Sequence, residues 1–223
     1  MKGDPRSSKA GGIAAILIGV LDVLLVIYVV AIPADQRFDM GQFFINYTEN
    51  PLAMSVAWIV LATTSILALA VVPAVYRLVR AQNEEWAQIA SILGIVGYAV
   101  GATSFLTMLG RTPALAQAYV EADQVTRTAI VALGIPELDP LKVLIMGAPG
   151  VWFVVTNILA WRGNQLNRLH AGIGATVGVF HWMATFAMLV QSETLDILAA
   201  GAGALFAPIW YVWLGMCLLR PSA

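Results

Sequence analysis

Charge is what this 223-residue chain has least of: Asp, Glu, Lys and Arg make up only 11% of it. A soluble domain carries roughly 25%, so a surface that faces water along the whole chain is excluded. Lys and Arg number 12 against 13 Asp and Glu, for a net charge of −1. No basic cluster is large enough to track a phosphate backbone, which excludes nucleic acid as a partner. The single cysteine, Cys217, excludes an intrachain disulfide and a cysteine-rich metal site. The only two histidines, His170 and His181, share one apolar run and cannot supply axial haem ligands from two helices. The Glu-x-x-His pairs of di-iron bundles and the H-E-x-x-H zinc motif are also missing. No lysine sits inside an apolar run to form a Schiff base, and no nucleophile-base-acid set is legible. The residues therefore call for no cofactor and no metal, and they favour a non-enzymatic protein.

What the chain has in abundance is apolar length, with 60% hydrophobic residues. Runs near 20 residues are long enough to cross the roughly 30 Å hydrocarbon core of a bilayer as α-helices. In lipid a helix satisfies its own backbone, which is why such runs take this form. The runs predict six spans at about 10–32, 51–76, 87–110, 141–161, 169–190 and 197–219. The fold class is thus all-α, a polytopic transmembrane bundle of six spans in a single domain. Pro33 is expected to stop the first span, which reads as an uncleaved helix because its apolar run exceeds that of a signal peptide. The fourth span contains Gly147-Ala148-Pro149-Gly150 and is expected to cross in full with a kink, and Pro208 predicts a bend in the sixth.

Loop charge sets the expected orientation. With the N-terminus inside, cytoplasmic segments hold Lys2, Arg6, Lys9, Arg77, Arg80, Arg162, Arg168 and Arg220, and the outer side holds Arg37, Arg111, Arg127 and Lys142. The outer side is acidic, with Asp35, Asp39, Glu49, Glu121, Asp123, Glu137, Asp139, Glu193 and Asp196. The expectation is a multi-pass protein of the cell (cytoplasmic) membrane with both termini cytoplasmic. In the long outer loop, Thr112 and Pro113 can start a helix that Gly134-Ile135-Pro136 ends. Leu115, Ala118, Tyr119, Ala122, Val125, Ala129 and Leu133 form one apolar stripe, so 113–133 is expected to be an amphipathic helix on the outer surface. Asp123 and Arg127 are spaced to pair along it.

Small residues mark the helix-packing faces: Gly19 in the first span, Gly97 and Gly101 in the third, Gly174 and Gly178 in the fifth. Such faces let backbones approach closely in lipid, and they would equally serve other membrane-protein subunits. Asp22 and His181 stand out because they are ionisable and lie near mid-bilayer. Each is twelve residues beyond the predicted inner end of its span, about 18 Å along the axis, so they share a depth. Charges there cost several kcal/mol unless they face the interior, neutralise or pair. With Tyr98, Ser104 and Thr185 on the same faces, they form the candidate intramembrane polar site, and Asp22 and His181 are expected to approach each other. His170 and Asn157 lie near helix ends and read as interfacial.

Residues 70–105, AVVPAVYRLVRAQNEEWAQIASILGIVGYAVGATSF, and 157–180, NILAWRGNQLNRLHAGIGATVGVF, resemble an uncharacterised family of six-helix bacterial integral membrane proteins with a domain of unknown function. The resemblance implies fold and membrane localisation and carries no catalytic residues. Two functions remain in play: an accessory subunit or sensor, or a small-solute or proton-coupled transporter working through Asp22 and His181.

Overall fold

A computed structural model describes residues 8–31 and 39–220. Pro33, expected to stop the first span, lies outside the described residues, as do Lys2, Arg6, Asp35 and Arg37. Among the described residues there is no strand, and six helices are long and apolar enough to cross a membrane. They are α1 (Lys9–Ala31), α3 (Pro51–Val79), α4 (Glu84–Glu121), α6 (Ala148–Arg162) with the π-helical turn Val143–Gly147 before it, α7 (Arg168–Val190) and α8 (Glu193–Leu219). Two short helices, α2 (Met40–Glu49) and α5 (Gln124–Leu133), lie between spans. The protein is an integral, multi-pass membrane protein embedded in lipid by these spans.

Helix starts follow from polar residues at the turns. Asn50, Asn83, Asn167 and Ser192 each accept a backbone N–H from three residues on, at 3.2, 3.1, 2.8 and 3.4 Å, and so begin α3, α4, α7 and α8. Asp39 and Asp123 do the same for α2 and α5. Each such cap is worth about 1 kcal/mol. The fourth span is one candidate span, Val143–Arg162, and it opens with a π turn. There the N–H of Gly147 reaches the carbonyl of Lys142, five residues back, at 3.1 Å. The extra residue absorbs Pro149, which has no N–H to give and follows directly at the first turn of α6.

The spans pack in chain order as a ring: α1 on α3, α3 on α4, α4 on α6 and its π turn, α6 on α7, α7 on α8, and α8 back on α1. The fourth span is the most enclosed, with 56% of its most apolar window buried. Close approach is bought by glycine where helices cross. A Cβ on Gly178 would lie 2.6 Å from the carbonyl oxygen of Gly150, and a Cβ on Gly97 would run into Pro149. The main buried cluster draws on Ala14–Ile18, Ala68–Val79, Leu159–Ala171 and Trp210–Leu218, all toward the end of the bundle where α1 begins and α8 ends. On α1 the buried positions stop at Gly19. A second, smaller buried cluster, Phe44, Tyr47 and Ala116, lies at the loop end, so the larger core sits in one half of the bundle and a smaller one in the other.

The surface helix of the long loop is present but shorter than expected. Residues 113–121 continue α4, with Pro113 inside it, and the amphipathic helix is α5 alone. Thr112 caps nothing; its hydroxyl donates back to the Met108 carbonyl at 2.6 Å. Arg127 does not pair with Asp123. Its guanidinium donates to the carbonyls of Tyr119 (3.0 Å) and Val120 (2.7 Å), closing the end of α4, while Asp123 is occupied as the cap of α5.

Candidate functional site

The five intramembrane polar candidates do not converge on one site. Tyr98 of α4 reaches across the ring to Tyr211 of α8, hydroxyl to hydroxyl at 2.7 Å. Asp22 lies within electrostatic range of both phenols but makes no hydrogen bond among the described residues. His181 is elsewhere. Its Nδ1–H donates to the Val177 carbonyl of its own helix at 2.9 Å, and its ring lies 5.3 Å from that of Phe153. Asp22 and His181 therefore do not pair: α8 stands between α1 and α7 in the ring, so equal depth does not bring them together. The Thr185 hydroxyl donates to the Lys142 carbonyl (3.1 Å) and tethers the π turn to α7. Ser104 is buried with its Oγ unpartnered among the described residues.

Around the tyrosine pair is a layer that sequence spacing did not single out. Trp152 and Phe153 of α6 meet Trp210 and Tyr211 of α8, edge to face at ring separations of 4.8–5.9 Å, and Trp152, Phe153 and Trp210 are essentially fully buried. Below it, Trp210 Nε1 donates to Asn157 Oδ1 (2.9 Å) and Asn157 Nδ2 donates to the Phe153 carbonyl (2.8 Å). His170, in the first turn of α7, is packed inside the bundle rather than exposed. It is 1% exposed, its Nε2–H donates to the Trp210 carbonyl at 3.2 Å, and it stacks on Trp213 at 4.7 Å. The Trp-Tyr-Val-Trp run just after Pro208 was the available signal for this layer. It fills the half of the bundle where α1 begins and α8 ends.

Removing one hydroxyl of the Tyr98–Tyr211 pair leaves the other buried without its partner. Tyr98→Phe and Tyr211→Phe are each expected to cost roughly 1–3 kcal/mol. The double variant is expected to recover most of that loss, because no unpaired group remains. A double-mutant cycle on thermal unfolding in detergent checks this. Additive losses would mean that the bond contributes nothing of its own.

At the loop end the bundle opens into a cavity of about 640 Å³, within the range that holds drug-sized ligands. Met40, Met54, Met108 and Met188 line it together with Phe43 and Trp58, and Tyr28 also lines it, with its hydroxyl bonded to the Ala53 carbonyl (2.8 Å). Asp39, Glu137 and Lys142 add charge to its lining. Thioether and aromatic side chains make an adaptable apolar surface. Desolvation raises the Glu137 carboxyl above its ordinary pKa; Lys142 opposes this and Asp139 adds to it. Asp139 itself is buried and spoken for: it accepts the N–H groups of Val143, Leu144 and Ile145 at 3.2, 2.7 and 2.8 Å, capping the π turn beside the cavity. Lys142, in the left-handed region at φ 55°, makes the sharp entry to that turn. The cavity thus touches the one irregular segment among the described spans.

A family described as a domain of unknown function, DUF4386, matches residues 12–216. The chain belongs to the DUF4386 family. No curated protein and no solved structure matches it. The DUF4386 region runs from within α1 to within α8, so the sealing aromatic layer, the π turn and the loop-end cavity are all parts of the family domain.

Proposed function

We propose that this DUF4386 protein is a non-enzymatic sensor or accessory subunit that reads a ligand in the loop-end cavity. The observation that carries this reading is the asymmetry of the bundle, a ligand-sized apolar cavity at one end and a filled aromatic layer toward the other. Charge selects the ligand class. Among the described residues the loop end holds Asp39, Glu49, Glu121, Asp123, Glu137, Asp139, Glu193 and Asp196 against Arg111, Arg127 and Lys142. An organic cation with an apolar body fits such a field, its charge near Glu137 and its body against Trp58 and Phe43.

Tetraphenylphosphonium and tetraphenylborate share a shape and differ in sign, so they separate charge recognition from greasiness. Titration calorimetry in detergent is expected to show saturable binding of the cation, at least tenfold weaker binding of the anion, and loss of the cation site in Ala57→Trp, which fills the cavity. Cation affinity is expected to rise with pH as Glu137 deprotonates, from a midpoint above the ordinary Glu value, and to lose that dependence in Glu137→Gln. Equal binding of the two ions, or of the cation by wild type and Ala57→Trp, would overturn the reading.

The Lys/Arg balance supports placing the loop end outside and the termini in the cytoplasm of a cell membrane. Membrane-impermeant thiol labelling in a Cys217→Ala background is expected to reach Gln117→Cys from outside and Gln82→Cys only after permeabilisation; the reverse pattern would invert the topology. A second reading, small-solute or proton-coupled transport, rests on Asp22, whose carboxylate has no hydrogen-bond partner among the described residues.

A further inference from the structure

The outer surface between α6 and α7 is not smooth. Ile158, Trp161, Arg168, Ala171, Gly172 and Ala175 line a groove of about 340 Å³ there, with the buried Asn157 also touching it, its amide already bonded to Trp210 and the Phe153 carbonyl. Its level in the membrane follows from the helices that build it. Arg168 is the first residue of α7, and Trp161 and Arg162 are the last two of α6. From Arg168 to Ala175 the groove descends about 10 Å along the span. Its floor is shallow because its residues are small: a Cβ added at Gly172 would meet no atom within 4 Å. Trp161 is 49% exposed and Ile158 38%, so the walls are apolar and open toward the hydrocarbon.

The mouth is cationic and unmatched. Neither Arg168 nor Arg162 has a hydrogen bond or ion pair among the described residues, and the groove lining contains no carboxylate. An arginine on the first turn of a helix faces the positive end of the helix dipole, so its own helix does not compensate it. A guanidinium at the membrane surface above an apolar slot, flanked by an interfacial tryptophan, matches one occupant: a molecule with an anionic phosphodiester at headgroup depth and an acyl chain beneath it. We infer that this groove is a binding site for one anionic phospholipid, its phosphate on Arg168 and a chain lying over Ala171, Gly172 and Ala175. Gly172 admits the chain by leaving room for it, and Trp161 positions the glycerol region from the α6 side.

The test is native mass spectrometry of the whole protein released from nanodiscs of equal phosphatidylglycerol and phosphatidylcholine. Wild type is expected to retain one phosphatidylglycerol preferentially. Arg168→Ala is expected to reduce that retention at least tenfold by removing the charge, and Gly172→Leu at least tenfold by filling the slot with the charge intact. Both changes fall on exposed positions, and an unchanged thermal midpoint in detergent verifies that the variants are folded. Inorganic phosphate at millimolar concentration is expected not to displace the lipid. Equal retention of phosphatidylcholine, retention unaffected by either variant, or displacement by inorganic phosphate would each overturn the assignment.

Discussion

Gly174→Ala is expected to leave little folded protein. A single methyl group there would be driven into the Asn157 amide and Trp210 Nε1, both inside the buried network that links α6, α7 and α8. Neither partner is the loose end of a flexible chain: Asn157 is held to the Phe153 carbonyl, and Trp210 is wedged between Trp152 and Phe153. Overpacking usually costs 1–3 kcal/mol. Here the bond from Trp210 to Asn157 breaks as well, leaving buried polar groups unpaired at about 1–3 kcal/mol more. The expected sum, about 2–6 kcal/mol, is a large part of the stability of a small domain. Fluorescence-detected size exclusion should show loss of the monodisperse peak. Gly172→Ala, two residues away on the open face, should behave as wild type. A well-folded Gly174→Ala protein would mean that α7 and α8 do not approach as closely as described.

Asp139→Ala is the second large effect. One carboxylate accepts three consecutive N–H groups at the start of the π turn, so truncation strands three donors at once. Hydrogen bonds to a charged group contribute about 1.5–3 kcal/mol each, and partial solvation near the cavity lowers the total to about 3–4 kcal/mol. The loss should be local before it is global. Hydrogen exchange at 143–147 is expected to accelerate at least a hundredfold while the 210–218 segment keeps its protection. Thr185→Val, which removes only the tether to the Lys142 carbonyl, is expected to give a smaller change confined to the same turn. Uniform acceleration across all spans in Asp139→Ala would show instead that the turn is integral to the whole bundle.

The six spans were legible because lipid imposes a simple rule: about 20 apolar residues, charges at the ends. Pro149 and its glycines announced a kink, though not that a π turn would absorb it. A Thr-Pro pair looks like a helix start, which makes 113–133 read as one surface helix; in a span already under way, Pro113 is tolerated and α4 runs on to Glu121. The α2 helix went unmarked because ten residues give little periodicity, although Asp39 as cap and the Phe43, Phe44 and Tyr47 face were there to be read. The candidate site suffered from a different limit. Sequence gives depth, direction and a small-residue face for each helix but not which helices are neighbours, so Asp22 and His181 share all three without sharing an interface. The same limit hid Tyr211 as the partner of Tyr98, and Trp210 as the residue that draws His170 and Asn157 into the interior. The loop-end cavity has no local signature at all, because its methionines come from α2, α3, α4 and α7.

On the proposed function the protein binds a cation at one end without passing it through the membrane. The most direct measurement follows tetraphenylphosphonium and protons together in sealed proteoliposomes of fixed orientation. The expected result is saturable, Glu137-dependent binding from the loop end alone, with ion uptake and proton flux no faster than in empty liposomes and unchanged by Asp22→Asn. Protein-dependent flux of either species that Asp22→Asn abolishes would contradict the account and make the protein a transporter.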